Sequence, residues 1–226
     1  MRGDLEILFE DNHLIAVNKP SGLLVQGDET GDITLSDLTK EYIKHQYNKP
    51  GAVFLGVIHR IDRPVSGVVL MARTSKGLSR MNESFRNRSV QKIYLAGVTG
   101  VPKKQEDTLV HWLTKNENLN RVTLFPRETD GASRCELNYR VVANHGNQSL
   151  LEVHPLTGRP HQIRAQLAAI GHPIAGDVKY GSAVPSEEKS IALHSSKLIF
   201  EHPVSKETIT LSAPLPSTLI WHPYAS

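Results

Sequence analysis

Cysteine is nearly absent from this sequence, because Cys135 is the only one in 226 residues. A single thiol excludes an intramolecular disulfide, a CxxC zinc site and any cluster held by four cysteines. Long hydrophobic runs are absent too, since no apolar stretch approaches the ~20 residues that cross a bilayer. The opening residues, MRGDLEILFE, carry acids where a signal peptide would carry its apolar core. These absences predict a cytoplasmic protein of bacterial or organellar type.

The composition is that of a folded globular chain, with 39% hydrophobic and 22% charged residues. The net charge of +3 is small, but it is unevenly distributed. Eight basic and two acidic residues lie between His59 and Lys92, a local net charge of +6. This basic belt fits a polyanion partner, and on charge alone a solvated helix face explains it equally well.

Apolar periodicity predicts many short strands and few helices in irregular order, which indicates an α+β fold with a mostly antiparallel or mixed sheet. A helix is predicted over 34–47, where Thr34 and Asp37 form a capping box, another over 75–86, and a short one within RPHQIRAQLAAIG. Strands are predicted at 5–9, 13–18, 53–58, 68–72, 90–98, 120–126, 132–143, 148–154 and twice within 190–212.

The segment GVIHRIDRPVSGVVLMAR, residues 56–73, places one carboxylate, Asp62, between two arginines and two apolar runs. Pro64 biases the residue before it toward extended geometry, and Gly67 permits a turn conformation. A stiff loop between buried strands is a common way to present a reactive side chain. An Asp that only pairs with its neighbouring arginines is the other interpretation, and the segment taken alone favours it.

A second cluster is LTGRPHQIRAQL, residues 156–167. Helical spacing predicts His161 and Arg164 on one face, with an apolar face opposite. The backbone N–H groups of Gly158 and Arg159 at the helix start could bind an anion. An ordinary helix start with polar surface residues explains the cluster as well.

Two strand segments carry weaker signals. Tyr94 in QKIYLAGV is either half-buried packing or a platform on which a base stacks. NKPSGLLVQ is a strand followed by a turn, and a simple Pro-Gly corner explains it.

Together and in this order, these segments resemble the RluA-type family of pseudouridine synthases. The matching pieces are NKPSGLLV, HRIDRPVSGVVLMAR, QKIYLAGV, LTGRPHQIRAQLAAIGHPIAGDVKYG and LHSSKLIFEHP, which extend from residue 18 to 203. The resemblance implies the α+β catalytic core of these synthases, a long mixed and mostly antiparallel sheet in two subdomains with an RNA-binding cleft. It also implies isomerisation of specific uridines to pseudouridine in structured RNA (tRNA, ribosomal RNA or both).

The same resemblance implies roles for individual residues. Asp62 would be the essential carboxylate, Tyr94 would stack on the target base, and Arg164 would pair with Asp62. Arg60 would enter the RNA stack where the flipped uridine leaves it. The other residues expected at the RNA are His59, Arg63, Gly158, Arg159, His161 and Gln162. We expect no cofactor and no metal, because the reaction involves no redox change and no net group transfer.

The chain departs from the family pattern in places. Val65 stands where Thr is usual, and Gln166 stands where His is common. The sequence begins directly at the catalytic domain, so we expect a single domain over 1–226 without the small N-terminal S4-type RNA-binding domain that many relatives carry. The softest segments are 101–107 and 185–189, and we expect a monomer.

Two other classes of function stay open. The first is a non-catalytic RNA-binding or chaperone module on the same fold. The second is a hydrolase, which would need two facing carboxylates, whereas Asp177 is the only other acid within these motifs. The spacing of the histidines at 59, 154, 161, 172 and 194 matches no zinc pattern.

Overall fold

The computed structural model describes residues 5–186 and 190–224, and the chain divides into two units. The first comprises Met1–Gln91 with Ser195–Pro214, and the second Lys92–His194 with Leu215–Ser226. Over the described residues eleven strands belong to one sheet, which confirms the predicted α+β class with a long sheet in two subdomains. The RNA-binding cleft stays a prediction.

The soft segments predicted from the sequence do not mark the unit boundaries. These boundaries follow residues 91, 194 and 214. Most of the second soft segment, residues 187–189, lies outside the described residues.

The first unit consists mainly of antiparallel strands. Its strand order is β1-β2-β4-β10, with β3 paired to β4 and β11 paired to β10, and the pairs β1–β2, β2–β4, β3–β4 and β10–β11 are antiparallel. These elements are β1 (Glu6–Glu10), β2 (Leu14–Lys19), α1 (Leu35–Gln46), β3 (Gly56–Val57), β4 (Ser66–Ala72), α2 (Ser75–Arg86), β10 (Leu193–Glu201) and β11 (Thr208–Ser212).

Strand β4 supplies the centre of the core of this unit. All seven of its residues, SGVVLMA, are buried, as expected for a continuous apolar run. Leu14 and Ala16 of β2, Leu198 and Phe200 of β10, and Met81 of α2 pack in the same cluster.

The two helices of the first unit begin where the sequence predicts. Thr34 caps α1 with both bonds of the capping box, because the Thr34 hydroxyl accepts from Asp37 N–H at 3.2 Å and the Asp37 carboxylate accepts from Thr34 N–H at 3.1 Å. Thr74 caps α2 by accepting from Gly77 N–H at 3.1 Å. None of the described helices is long and apolar enough to cross a membrane.

The strand predicted over 53–58 is wrong in extent and burial. Only Gly56 and Val57 pair as β3, opposite the last two residues of β4, and Phe54 is 48% exposed. A Cβ added to Gly56 would lie 2.6 Å from a methyl carbon of Leu78 in α2. Gly56 therefore lies in close contact with α2, which an apolar run alone does not reveal.

The second unit has the strand order β5-β9-β8-β6-β7, in which the pairs β5–β9, β8–β9, β6–β8 and β6–β7 are antiparallel. Its elements are β5 (Gln91–Thr99), β6 (Glu106–Asn116), β7 (Arg121–Phe125), β8 (Ser133–His145), β9 (Gln148–Pro155), α3 (Gln162–Ala169) and two 3-10 turns, Val178–Tyr180 and Leu219–Tyr224.

Strand β6 was not predicted from the sequence, although it has 11 residues. Only Leu109 and Leu113 of EDTLVHWLTKN are buried, and polar residues occupy both ends. Such a strand lacks the apolar density that sequence patterns detect, and its pairing with β7 and β8 holds it in place.

Candidate functional site

Asp62 lies in a tight turn between β3 and β4 of the first unit. Its carbonyl oxygen accepts from Val65 N–H at 3.0 Å, and Val65 is buried. Gly67, at the start of β4, has a φ of +113°, and a Cβ added there would lie 2.2 Å from the carbonyl oxygen of Ser195 in β10. Only glycine fits this approach, so the turn is held against the backbone of a neighbouring strand.

Lys19, at the end of β2, is fully buried beside this turn. Its ammonium donates to the carbonyl oxygens of Leu23 at 2.7 Å, Pro20 at 2.9 Å and Arg63 at 3.2 Å. These match the three N–H donors of a protonated lysine. Burial lowers the pKa of Lys19 to about 7, while the charge of Asp62 raises it and that of Arg63 lowers it. A titratable cation is therefore built in next to Asp62.

Sequence reasoning missed Lys19, because a Pro-Gly corner explained the NKPSG segment. A signal was present: in LIAVNK the lysine occupies a position on a strand whose first four residues are all buried. The pairing register of β2 with β4 places Lys19 opposite Gly67. A lysine inside an apolar strand pattern therefore marks a buried group with a specific set of acceptors.

Arg63 joins the Asp62 turn to the turn after β2. Its carbonyl accepts from Gly22 N–H at 2.8 Å, and its Nε donates to the Gly22 carbonyl at 2.9 Å. Its guanidinium also forms an ion pair with Asp32 at 2.9 Å, with both side chains about half exposed. Arg63, predicted to contact RNA, is thus at the surface with an acid beside it.

His59 and Arg60 precede Asp62 on the same loop. The His59 Nε2 accepts from Leu70 N–H at 3.0 Å, and its ring stacks on Phe85 with centroids 5.1 Å apart. Arg60 is exposed, as an RNA contact requires. This geometry supports a positioning role for His59 and a surface role for Arg60.

Arg73 is not an exposed positive charge of the basic belt, although the charge pattern of the sequence placed it there. Its guanidinium lies 2.9 Å from the Glu10 carboxylate and 4.5 Å from the centre of the Tyr47 ring, with only 10% of the side chain exposed. An acid from outside the belt therefore neutralises one of its eight cations.

Tyr94 lies on β5 of the second unit, opposite Val153 of β9. It is 9% exposed, so most of its ring is packed. This burial matches the packing interpretation. The stacking role implied by the family resemblance stays a prediction.

The TGRPHQ segment forms a turn around the Gln162 side chain. The Gln162 Oε1 accepts from the Thr157 hydroxyl at 2.7 Å and from Arg159 N–H at 3.0 Å, and its Nε2 donates to the Glu136 carbonyl at 2.9 Å. Gln162 is 4% exposed. These contacts support a role in shaping the turn, which leaves Arg159 and Gly158 exposed at its surface.

Helix α3 begins at Gln162, so His161 lies just before it and does not share a helical face with Arg164. His161 is its N-cap, with φ 50° and ψ 18°, so the His161 side chain leaves the helix in a different direction. Residues 162–167 are all buried, and no polar face is turned to solvent. The predicted amphipathic arrangement is therefore wrong, because α3 is packed on both sides.

Arg164 is a buried cation with a carboxylate partner in its own unit. Its Nε and Nη2 donate to Asp177 Oδ2 at 2.7 Å and Oδ1 at 2.9 Å. The two side chains are 6% and 1% exposed. Such a two-point bond fixes the plane of the guanidinium. Sequence reasoning noted Asp177 only as an acid within a motif, and the pairing of Arg164 with Asp62 stays a prediction.

Gln166, where the family usually has His, is fully buried. Its Nε2 donates to the Leu109 carbonyl at 3.1 Å and lies 3.1 Å from His111 Nδ1. Its Oε1 is buried without a hydrogen-bond partner among the described residues. This position serves the contact between α3 and β6, and one buried acceptor of Gln166 is unsatisfied there.

Each unit carries its own group of predicted residues. His59, Arg60, Asp62 and Arg63 share one loop of the first unit. The second unit holds Tyr94 on β5 and the remaining residues between Gly158 and Arg164. Within residues 5–186 and 190–224, no three His, Cys, Asp or Glu side chains are grouped so that they could hold a metal ion.

Residues 13–169 match the sequence profile of a protein family, RNA pseudouridylate synthase. The chain belongs to this family. The matched range includes Asp62, Tyr94 and Arg164, and it confirms the resemblance seen in the sequence motifs.

Curated relatives align with nearly all of the chain. It is 34% identical over 216 residues to "Ribosomal large subunit pseudouridine synthase C" of Pasteurella multocida, covering 93% of this chain and 64% of that protein. It is 30% identical over 224 residues to "Uncharacterized RNA pseudouridine synthase YhcT" of Bacillus subtilis, covering 96% and 70%. The chain thus spans slightly less than two thirds of the length of the Pasteurella protein.

A solved structure has the same fold. "Human RNA Pseudouridylate Synthase Domain Containing 4" superposes with a TM-score of 0.77 at 24% identity, covering 94% of this chain and 89% of that chain. This superposition confirms the fold that the sequence motifs predicted.

Proposed function

We propose that this protein isomerises uridine to pseudouridine in structured RNA, with Asp62 as the essential carboxylate. The observation that carries the proposal is the construction of the Asp62 turn, in a chain that belongs to the RNA pseudouridylate synthase family. The Lys19 ammonium donates a hydrogen bond to the Arg63 carbonyl in this turn. The Gly67 backbone lies in close contact with β10. A reactive side chain on so constrained a loop keeps its orientation while RNA binds.

The reaction exchanges one bond of the base for another. The N1–C1′ bond of uridine breaks, the detached uracil turns, and a C5–C1′ bond forms. The proton on C5 leaves to solvent and N1 gains a proton, so atoms and electrons balance without a cofactor. Asp62 would act either as a nucleophile at C1′ or C6, or as a base at C2′ that gives a glycal-like intermediate.

Three other residues complete the proposed chemistry. Tyr94 would stack on the uracil and assist removal of the C5 proton. Arg164, fixed in plane by Asp177, would supply a cation for Asp62. Arg60 would fill the gap left by the flipped uridine, which offsets an unstacking cost of roughly a few kcal/mol.

The proposed substrate is ribosomal RNA of the large subunit, with tRNA as the other candidate. The name of the Pasteurella relative supports the first choice. Exposed residues of the basic belt, Arg60, Lys76, Arg80, Arg86 and Arg88, would contact phosphates. Binding should therefore weaken steeply with salt.

The test is tritium release from RNA labelled at C5 of uridine, because the hydrogen on C5 is lost when C5 becomes the glycosidic carbon. Wild type should release tritium, and Asp62→Asn should release none above background. Asp28→Asn is the matched control, since it makes the same carboxylate-to-amide change on an exposed loop of the same unit. It should retain full release.

Fractionated ribosomal RNA and tRNA from a strain lacking the gene would then identify the target. Release by Asp62→Asn equal to wild type would refute the role of Asp62. RNA binding by wild type without any release from either fraction would point to the non-catalytic RNA-binding module.

A further inference from the structure

One short turn supplies partners for two of the predicted site residues of the second unit. This is the 3-10 turn Val178–Tyr180, with Asp177 as its N-cap. Asp177 holds Arg164, and the Tyr180 hydroxyl lies 2.7 Å from His161 Nδ1. The turn lies in the GDVKYG segment, to which the motifs assigned no role for Tyr180.

His161 has a backbone conformation that needs support. Its φ of 50° and ψ of 18° are left-handed, which costs a non-glycine residue roughly 1–2 kcal/mol. No side-chain bond caps α3 at this residue. The strained backbone turns the imidazole off the helix, where Tyr180 meets it edge-on, with ring centroids 5.7 Å apart.

The hydrogen bonds of Tyr180 bear on the tautomer of His161. Val122 N–H donates to the Tyr180 hydroxyl oxygen at 3.0 Å. With one lone pair of this oxygen occupied by a backbone donor, the hydroxyl is placed to donate its hydrogen to His161 Nδ1. Neutral imidazole with an accepting Nδ1 carries its proton on Nε2. In that arrangement Nε2 is the donor nitrogen of His161.

The Tyr180 ring also contacts Arg164. The guanidinium carbon of Arg164 lies 5.1 Å from the ring centre, and that of Arg121 lies 5.6 Å from it. Both distances are within the range of cation–π attraction. Tyr180 and Arg164 are 7% and 5% exposed, so their contact is largely shielded from water, whereas Arg121 is exposed. Replacing only the Tyr180 hydroxyl would leave the ring contacts in place.

We propose that Tyr180 is the positioning residue for His161. Its hydroxyl selects the Nε2–H tautomer and orients the ring, so that His161 donates a hydrogen bond to an oxygen acceptor of the substrate RNA. The RNA part of this inference rests on the proposed function. The tautomer part does not, and this difference separates the two tests.

The first test measures the tautomer directly, by two-bond ¹H–¹⁵N NMR of imidazole-labelled protein at about pH 8. The protein has 11 histidines, so the His161 signals are assigned by their loss in His161→Gly, where glycine accepts the left-handed backbone. We expect the Nε2–H tautomer in wild type and a changed tautomer ratio in Tyr180→Phe. An Nδ1–H tautomer in wild type, or the same ratio in Tyr180→Phe, would overturn the proposal.

The second test is a double-mutant cycle on kcat/KM for tritium release. Tyr180→Phe should lower kcat/KM about tenfold, the size of one lost hydrogen bond. In the His161→Gly background the same change should cost less than about twofold, because the residue through which it acts is gone. Equal losses in both backgrounds would show a general structural effect and refute the proposal.

Tyr139→Phe is the matched control for losing a buried tyrosine hydroxyl in the same unit. Tyr139 is 5% exposed and donates to the Lys104 carbonyl at 3.4 Å. Its kcat/KM should stay within about twofold of wild type, and a tenfold loss would count against a specific role of Tyr180. If wild type releases no tritium, the proposed function fails, and the NMR result still decides whether Tyr180 sets the tautomer of His161.

Discussion

Replacing Gly67 with alanine tests whether the Asp62 turn depends on the close contact between β4 and β10. The added Cβ would lie 2.2 Å from the Ser195 carbonyl oxygen and 2.7 Å from its carbon and nitrogen. These are backbone atoms, so no side-chain rotation relieves the overlap and the strands must separate. Overpacking costs roughly 1–3 kcal/mol or more, and the positive φ adds roughly 1–2 kcal/mol. We expect Gly67→Ala to lose about 2–5 kcal/mol of unfolding free energy.

Gly22→Ala separates the two contributions. Gly22 also has a positive φ, +85°, but an added Cβ there meets no atom within 4 Å. Gly22→Ala should lose only the unfolding free energy that the positive φ costs, roughly 1–2 kcal/mol. The assay is urea unfolding of both variants and wild type, followed by fluorescence. If the two variants differ by less than about 1 kcal/mol, the contact is not as tight as described and the reasoning is refuted.

Two further predictions concern buried charges. Burial lowers the pKa of Lys19 from 10.5 to about 7, so between these values the unfolded chain binds more protons at this residue and stability rises with pH. The unfolding free energy of wild type relative to Lys19→Met should therefore increase from pH 7.5 to 9.5 by up to ~1.4 kcal/mol per pH unit, and a flat difference would contradict this. Asp177→Asn should cost about 3–5 kcal/mol, because it removes the negative charge that makes two short hydrogen bonds with the buried Arg164 guanidinium. Asp107→Asn, in an exposed ion pair with Lys104, should cost less than about 1 kcal/mol by the same denaturation assay, and equal losses would refute the distinction.

Local signals in the sequence predicted local structure well. The capping box of Thr34 and Asp37 marks the start of α1, and both of its hydrogen bonds are present. The apolar run of β4 is buried throughout. These features depend on residues close together in the chain, so their physics is contained in a short segment.

Patterns failed where neighbours from elsewhere in the chain decide the structure. The run over 53–58 is as apolar as β4, but only two of its residues pair with β4, and Gly56 lies in close contact with Leu78 of α2. Strand β6 is polar at both ends and is held by its pairing with β7 and β8. Hydrophobicity alone does not encode either environment.

The sequence by itself determined the family, because residue identity and order along the chain define the motifs. Asp62, Tyr94 and Arg164 are predicted site residues in the same way. Only the tertiary structure revealed the buried Lys19 beside Asp62 and the turn that brings Asp177 and Tyr180 to the residues they hold. Burial and hydrogen bonding depend on which distant segments meet, and a buried cation is tolerated only where the fold brings acceptors or a carboxylate to it.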